Sequence, residues 1–106
     1  MHGIIRRYEG IDQARIDELT KKVGESYLPR VSKLDGFRGY YLIETNDGVM
    51  SSISFFDTMA QADESTRLSA TWVRDEKLDT VIPNPPKVTG GEVTLNKVVE
   101  KELVHA

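Results

Sequence analysis

The sequence of 106 residues contains no cysteine. This absence excludes a disulfide framework, a thiol nucleophile, and zinc or iron–sulfur centres held by cysteine. Basic residues are in the minority, since 14 lysines and arginines stand against 17 aspartates and glutamates. The net charge of −3 argues against nucleic acid or an anionic membrane as a partner. No apolar run approaches the roughly 20 residues of a membrane span, and the N-terminus is unlike a signal peptide, so we expect a cytoplasmic protein.

Residues that carry catalytic chemistry are also scarce. The two histidines, His2 and His105, lie at the two ends of the chain. The sequence shows no serine–histidine pair, no carboxylate pair with catalytic spacing and no phosphate-binding loop. We therefore expect neither a metal ion nor a cofactor, and no motif identifies catalytic residues. The length predicts a single domain over residues 1–106.

Hydrophobic periodicity divides the chain into six elements. Alternating β-prone residues predict strands, and apolar residues at spacings of three and four predict helices. The predicted strands span residues 3–8, 36–45, 49–56 and 92–102, and the predicted helices span 12–34 and 58–80. The proline-rich stretch 83–86 predicts a stiff, extended connection. The order β-α-β-β-α-β is typical of an α+β, ferredoxin-like fold: a four-stranded antiparallel sheet with two helices on one face.

Short-range signals mark the ends of these elements. Thr58 and Gln61 match a capping box at the start of the second helix. Gly36 is placed to end the first helix in a left-handed conformation, and the Asn-Asp-Gly turn ending at Gly48 predicts a hairpin. Pro29 lies inside the first predicted helix, where it removes a hydrogen bond and crowds the preceding turn. We therefore expect a kink or a break near residues 27–28.

Side-chain alternation divides each central strand into two faces. We expect the more apolar set to face the helices, namely Phe37, Gly39, Tyr41 and Ile43 with Val49, Ser51, Ile53 and Phe55. The opposite set retains large side chains that the helices cannot cover: Tyr40, Leu42, Met50 and Phe56. An uncovered apolar patch is unusual on a monomer. We therefore expect a homodimer that pairs through this sheet face, with the last strand reaching across.

Four stretches carry a family resemblance: residues 34–41 (LDGFRGYY), the hairpin, the helix that follows residues 56–57, and residues 65–74 (STRLSATWVR). In these the chain resembles the antibiotic biosynthesis monooxygenase-like group of dimeric α+β barrel proteins. That group includes cofactor-independent oxygenases that form quinones, haem-degrading enzymes, isomerases and proteins of no known activity. The resemblance implies a pocket between the helices and the sheet of each subunit.

The resemblance also points to substrate-binding residues. Trp72 matches a tryptophan of the haem-degrading members, but their histidine on the second helix and asparagine on the first strand have no counterpart, which argues against haem. Trp72 and Leu68 share one flank of the second helix and could wall a cavity. Tyr41 or Arg38 would bind or neutralise an anionic substrate. Each also has an ordinary structural role open to it, such as core packing for Trp72 and an ion pair for Arg38.

Two functions stay open at this point. The first is a cofactor-independent monooxygenase, or an isomerase, that acts on a small, planar, enolisable or phenolic compound. The second is a non-catalytic homodimer that binds a small apolar or aromatic ligand or serves as a scaffold. A cavity smaller than about 300 Å3 would favour the second.

Overall fold

A computed structural model describes residues 1–99 of the chain. Its strands are β1 (His2–Tyr8), β2 (Phe37–Glu44), β3 (Met50–Phe56) and β4 (Lys87–Glu92). Its α-helices are α1 (Ile16–Lys22), α2 (Leu28–Val31) and α3 (Met59–Asp75). A 3-10 turn at Gln13–Arg15 precedes α1, and a π turn at Val23–Tyr27 joins α1 to α2, so that these pieces form one helical segment.

The four strands form one antiparallel sheet in the order β2-β3-β1-β4. The helical segment and α3 pack on the same face of this sheet, and the core lies between them. The predicted α+β, ferredoxin-like fold is confirmed. It arises because β1 and β3, the two central strands, each alternate between buried and less buried residues.

The capping box and the hairpin glycine act as predicted, whereas the first helical segment ends at Val31, several residues before Gly36. Thr58 accepts a hydrogen bond from the backbone N–H of Gln61, whose side chain accepts one from the N–H of Thr58. Gly36 has a φ of 75° and Gly48 a φ of 80°, a conformation that glycine adopts without strain. The helix irregularity is also present, as the π turn that ends at Tyr27. Pro29 is the second residue of α2, directly after the π turn, in the first turn of helix where proline is tolerated.

The predicted assignment of sheet faces is wrong. Tyr40 and Leu42 pack against the core, whereas Tyr41 is 56% exposed on the opposite side. The β2–β3 register shifts between Phe37 and Gly39, and this irregularity brings both Phe37 and Tyr40 onto the helix side. Counting apolar residues misled the assignment of β3, because the sheet face under the helices includes small serines.

The face away from the helices remains largely apolar, although its residues are not the ones predicted. We call it the outer face; it carries Ile5, Tyr41, Ile43, Ile53 and Phe55. The first three are exposed and the other two are partly buried. The rings of Tyr41 and Phe55 meet edge to face at 6.3 Å between centroids. An apolar sheet face that the helices do not cover is therefore present, as expected, but it carries the set of side chains that was assigned to the helix side.

The last strand begins earlier than predicted. The predicted strand 92–102 overlaps β4 (Lys87–Glu92) only at Glu92, residues 93–99 contain no strand, and residues 100–102 lie outside the described residues. Every residue of β4 is exposed, so side-chain alternation carries no signal there. Backbone pairing with β1 defines this edge strand, with Gly90 opposite Ile4 and Gly91 opposite Gly3.

The second helix ends at Asp75 rather than near residue 80. Lys77 adopts a positive φ of 55°, and the N–H of Leu78 donates to the carbonyl of Val73 at 3.0 Å. Leu78 and Val81 continue the apolar pattern, but they reach the core from the turns after the helix. The chain is thereby directed toward the proline-rich connection that borders the site described next.

Candidate functional site

A cleft of about 410 Å3 lies between α3, β1 and the proline-rich connection, and we call it the α3–β1 cleft. Strand β1 contributes Arg6 and Tyr8 to its lining. Helix α3 contributes small and medium side chains: Thr66, Ser69, Ala70 and Val73. Residues 82–86 form the opposite wall, and Asp79 lies at its exposed rim. The volume falls within the roughly 300–1,000 Å3 that small-molecule sites occupy.

The cleft has a stiff proline-rich wall on one side and short side chains of α3 on the other. The side chain of Asn84 donates to the carbonyl of Glu9 at 3.2 Å, which ties the proline-rich connection to the end of β1. Prolines have fixed φ angles, so this wall loses little further entropy on folding. Facing it, the short side chains of Ser69 and Ala70 leave open space that larger residues would fill.

Arg6 is the unusual residue of the site, because its side chain is fully buried. Its Nη2 donates to Ser65 Oγ and, at 3.4 Å, to Thr66 Oγ1. Its Nε and Nη1 have no hydrogen-bond partner within residues 1–99, and no carboxylate of that range lies within 4.0 Å of it. A positive charge therefore lies inside the protein beside the cleft without a negative partner among the described residues.

Three tyrosine hydroxyls extend the polar part of the interior. The hydroxyls of Tyr8 and Ser69 share a hydrogen bond of 3.0 Å. The hydroxyl of Tyr27 is buried and has no partner in the described part of the chain. Burial raises the pKa of Tyr27, and burial together with the neighbouring Tyr27 raises the pKa of Tyr40. Both hydroxyls therefore stay protonated at neutral pH, as hydrogen-bond donors and not as bases.

The raised pKa of Tyr40 predicts a pH effect on stability. Below about pH 9 the tyrosine is protonated in both states, whereas above about pH 10 the unfolded chain releases a proton that the folded chain retains. The free energy of unfolding therefore falls as the pH rises. Between pH 9 and pH 11 it should fall by about 1 kcal/mol less in Tyr40→Phe than in the wild type. Urea unfolding at several pH values measures this. Tyr41→Phe, on the outer face, is the control. If the free energy of unfolding fell equally with pH in the two variants, the placement of Tyr40 would be contradicted.

Trp72 lies in the core, which is the structural role that the sequence also left open to it. It is 3% exposed, its Nε1 donates to Ser26 Oγ at 2.9 Å, and its ring lies 5.2 Å from that of Tyr27. The buried face of α3 runs through Ala62, Ser65 and Ser69 to Trp72, whereas Met59 at the start of the helix is exposed. The helix is rotated in this way because its serines hydrogen-bond to polar groups of β1.

The structure separates the four predicted substrate-binding residues. Trp72 borders an inner cavity of only about 30 Å3, with room for little more than a water molecule, and Leu68 packs against the core. Tyr41 lies on the outer face, and Arg38 forms an exposed ion pair with Asp57. Tyr41 and Arg38 border a separate depression beyond the sheet. None of the four lines the α3–β1 cleft, and their contact with a ligand stays a prediction.

Comparison with known proteins rests on structure, since neither a protein-family model nor a curated protein matches the sequence. A protein of unknown function from Nitrosomonas europaea superposes with a TM-score of 0.73 at 15% identity, over 94% of this chain and 95% of that one. A mutant of MhuD with two manganese protoporphyrin IX molecules per active site superposes with a TM-score of 0.73 at 15% identity, over 93% of this chain and 100% of that one. A monooxygenase from Streptomyces coelicolor in complex with nanaomycin D superposes with a TM-score of 0.69 at 10% identity, over 93% of this chain and 92% of that one.

Several other matching structures carry antibiotic biosynthesis monooxygenase in their names. The chain has the antibiotic biosynthesis monooxygenase-like fold. This confirms the fold expected from residues 34–41 and 65–74. At 10–15% identity the likeness establishes the fold alone, because proteins with this fold include monooxygenases, a porphyrin-binding protein and proteins of unknown function.

Within this fold, Arg6 and Tyr8 are the site residues that sequence reasoning missed. A signal was present: Ile4, Arg6 and Tyr8 occupy alternate positions of β1, so a charged residue stands between two that face the core. A charge at an inward-facing strand position is expensive to bury and indicates a ligand or a buried partner.

The described residues offer few other sites. Among residues 1–99, no three histidine, aspartate or glutamate side chains come together as metal ligands. In the same range no helix has the length and apolar character needed to cross a membrane. The α3–β1 cleft is an open cleft that brings polar groups of β1 and α3 together, and the depression beyond the sheet, at about 430 Å3, is of similar size.

Proposed function

We propose that this chain is a cofactor-independent monooxygenase whose substrate, a small, planar, enolisable or phenolic compound, binds in the α3–β1 cleft. The observation that carries the proposal is the cleft itself, whose 410 Å3 exceeds the volume expected of a mere packing defect. The monooxygenase with nanaomycin D supports it, because that protein shares the fold and was solved in complex with an organic ligand.

The chemistry asks little of the protein. In the oxidation of an anthrone-type methylene group to a ketone, the carbon loses two hydrogens and gains one atom of dioxygen, and the other oxygen atom leaves as water. The enolate of the substrate supplies the electrons. The protein binds, orients and desolvates that anion. Tyr8 and Ser69 present hydroxyl groups to the cleft, and Asp79 at the rim is the carboxylate available to accept the substrate proton.

Filling the cleft tests this function. Ala70 is exposed on α3 and lines the cleft, so Ala70→Phe should occupy the space of a planar ring and lower kcat/KM at least about 10-fold, a difference of about 1.4 kcal/mol. Oxygen consumption with a panel of anthrones and quinols measures the effect. Ala60→Phe is the matched control, since Ala60 is exposed on the same helix outside the cleft. Absence of wild-type turnover across the panel would rule out the oxygenase.

We also propose that two copies of the chain pair through the outer face. The support is its row of apolar side chains, which neither helix covers. A two-fold pair buries the same surface on both subunits, so one patch solves the exposure of both. This keeps the homodimer predicted from the sequence and transfers its contact to the face that carries Ile5, Tyr41 and Ile53.

A binding protein without catalysis is the second candidate. It is favoured by the lining of the cleft, where the described residues offer no histidine and, as the one carboxylate, the exposed Asp79. The same panel separates the two functions: compounds that bind in wild type and not in Ala70→Phe, without oxygen consumption, would establish a binding role.

A further inference from the structure

Within the described residues, Arg6 lacks a counter-charge and part of its hydrogen bonding. Its side chain is fully buried, yet only Nη2 has hydrogen-bond partners, the hydroxyls of Ser65 and Thr66. Arginine side chains carry a fixed positive charge in proteins. An isolated buried charge is strongly unfavourable, and structures normally supply a counter-ion.

The surrounding side chains do not supply that counter-charge. Ser65 is itself engaged, since its hydroxyl donates to the carbonyl of Ala62 at 2.6 Å. The nearby hydroxyl of Tyr27 is no counter-charge, because burial raises the pKa of Tyr27. Asp79 lines the same cleft, but it is exposed at the rim and forms no ion pair with Arg6. Nε and Nη1, both closed to solvent, therefore have no partner among residues 1–99.

We propose that the α3–β1 cleft selects organic oxyanions, with Arg6 as the counter-charge of the bound phenolate, enolate or carboxylate. The planar guanidinium suits two parallel hydrogen bonds to such an oxygen-centred anion. This inference rests on the proposed function for the location of the ligand only, and it holds whether or not the ligand is oxidised. It assigns Arg6 to specificity: the anionic form of a ligand binds, and its neutral form is rejected.

A chromophoric phenol tests the selection directly. 4-Nitrophenol absorbs visible light as the phenolate and not as the phenol, so its titration can be followed in the bound state. Wild-type protein should lower the pKa of the bound probe by at least about one unit, which equals a 10-fold preference for the phenolate. In Arg6→Met the preference should vanish, and Arg6→Lys should restore part of it. Arg7→Met is the matched control, because Arg7 is exposed and paired with Glu9.

Two competitors define the class of ligand. Nitrobenzene has similar size and no charge, and it should bind at least about 10-fold more weakly than nitrophenolate to wild type and equally well to Arg6→Met. Benzoate should displace nitrophenolate if any planar oxyanion is accepted, and failure to displace it would restrict the site to phenolates and enolates. Equal binding of nitrobenzene and nitrophenolate to wild type would overturn the proposal.

Stability of the ligand-free protein gives a second reading. Removing an uncompensated buried charge should stabilise the empty protein, so Arg6→Met should raise Tm by about 4 °C or more. A lower Tm would mean that the chain itself compensates Arg6, which would overturn the inference. Anion selection without oxygen consumption would support the role of Arg6 and reject the oxygenase. Turnover with no preference for anions would support the oxygenase and reject the role of Arg6.

Discussion

Ile53→Lys is expected to leave the protein as a single chain of 11.9 kDa at micromolar concentration, where the proposal expects the wild type to form a pair. Ile53 lies at the centre of the outer face, between Ile5 of β1 and Tyr41 of β2. In a two-fold pair the substitution places two lysines in the contact, each buried without a partner. The dissociation constant should rise at least about 1,000-fold, or about 4 kcal/mol. Sedimentation velocity over a range of concentrations measures it.

The control for this substitution lies on the other side of the molecule. Ala60→Lys adds the same charge to the exposed surface of α3 and should leave the pair intact. A wild-type protein that sediments as one chain would reject pairing altogether. Pairing that survives Ile53→Lys would assign the contact to another surface than the outer face.

Trp72→Ala is expected to lower the free energy of unfolding by about 3–5 kcal/mol. The ring is almost wholly buried against Tyr27, and the substitution would leave a large cavity in the core. Because domains of this size have about 5–15 kcal/mol of stability in total, much of the variant could unfold under ordinary assay conditions. Urea unfolding followed by circular dichroism measures the loss.

Two milder variants separate packing from hydrogen bonding at Trp72. Ser26→Ala keeps the ring and removes the acceptor of its Nε1, and it should lose only about 1 kcal/mol. Trp72→Phe should lose an intermediate amount. If Trp72→Ala instead kept nearly full stability while ligand binding disappeared, the tryptophan would be a pocket wall, as the sequence suggested. A drop in activity alone would not distinguish these roles, and so Ala70→Phe is the sharper test of the cleft.

Elements whose signals lie close together in the chain could be predicted. The capping box joins Thr58 to Gln61 over one turn, and Gly48 adopts its left-handed φ in the turn between β2 and β3. Pro29 acts on the turn immediately before it. In each case the deciding interaction involves residues within a few positions of one another, so the sequence contains the whole cause.

The candidate site was largely beyond the sequence, because its residues meet only after folding. Arg6 of β1 contacts Ser65 and Thr66 of α3, about sixty positions away, and Tyr8 meets Ser69 in the same way. A small shift in sheet register also decides which side chains reach the helices, as the irregularity between Phe37 and Gly39 does for Tyr40. Local periodicity carries no information about either event.

The amino-acid order alone therefore determined the succession of strands and helices, their caps and turns, and the existence of an uncovered apolar sheet face. These depend on backbone preferences and on side-chain spacing, which are properties of neighbours. Only the packed molecule decided which face is uncovered, where β4 begins, and that Arg6 is buried beside a cleft. Those outcomes depend on pairing between distant segments, where burial and hydrogen bonding choose among arrangements that local preference leaves equal.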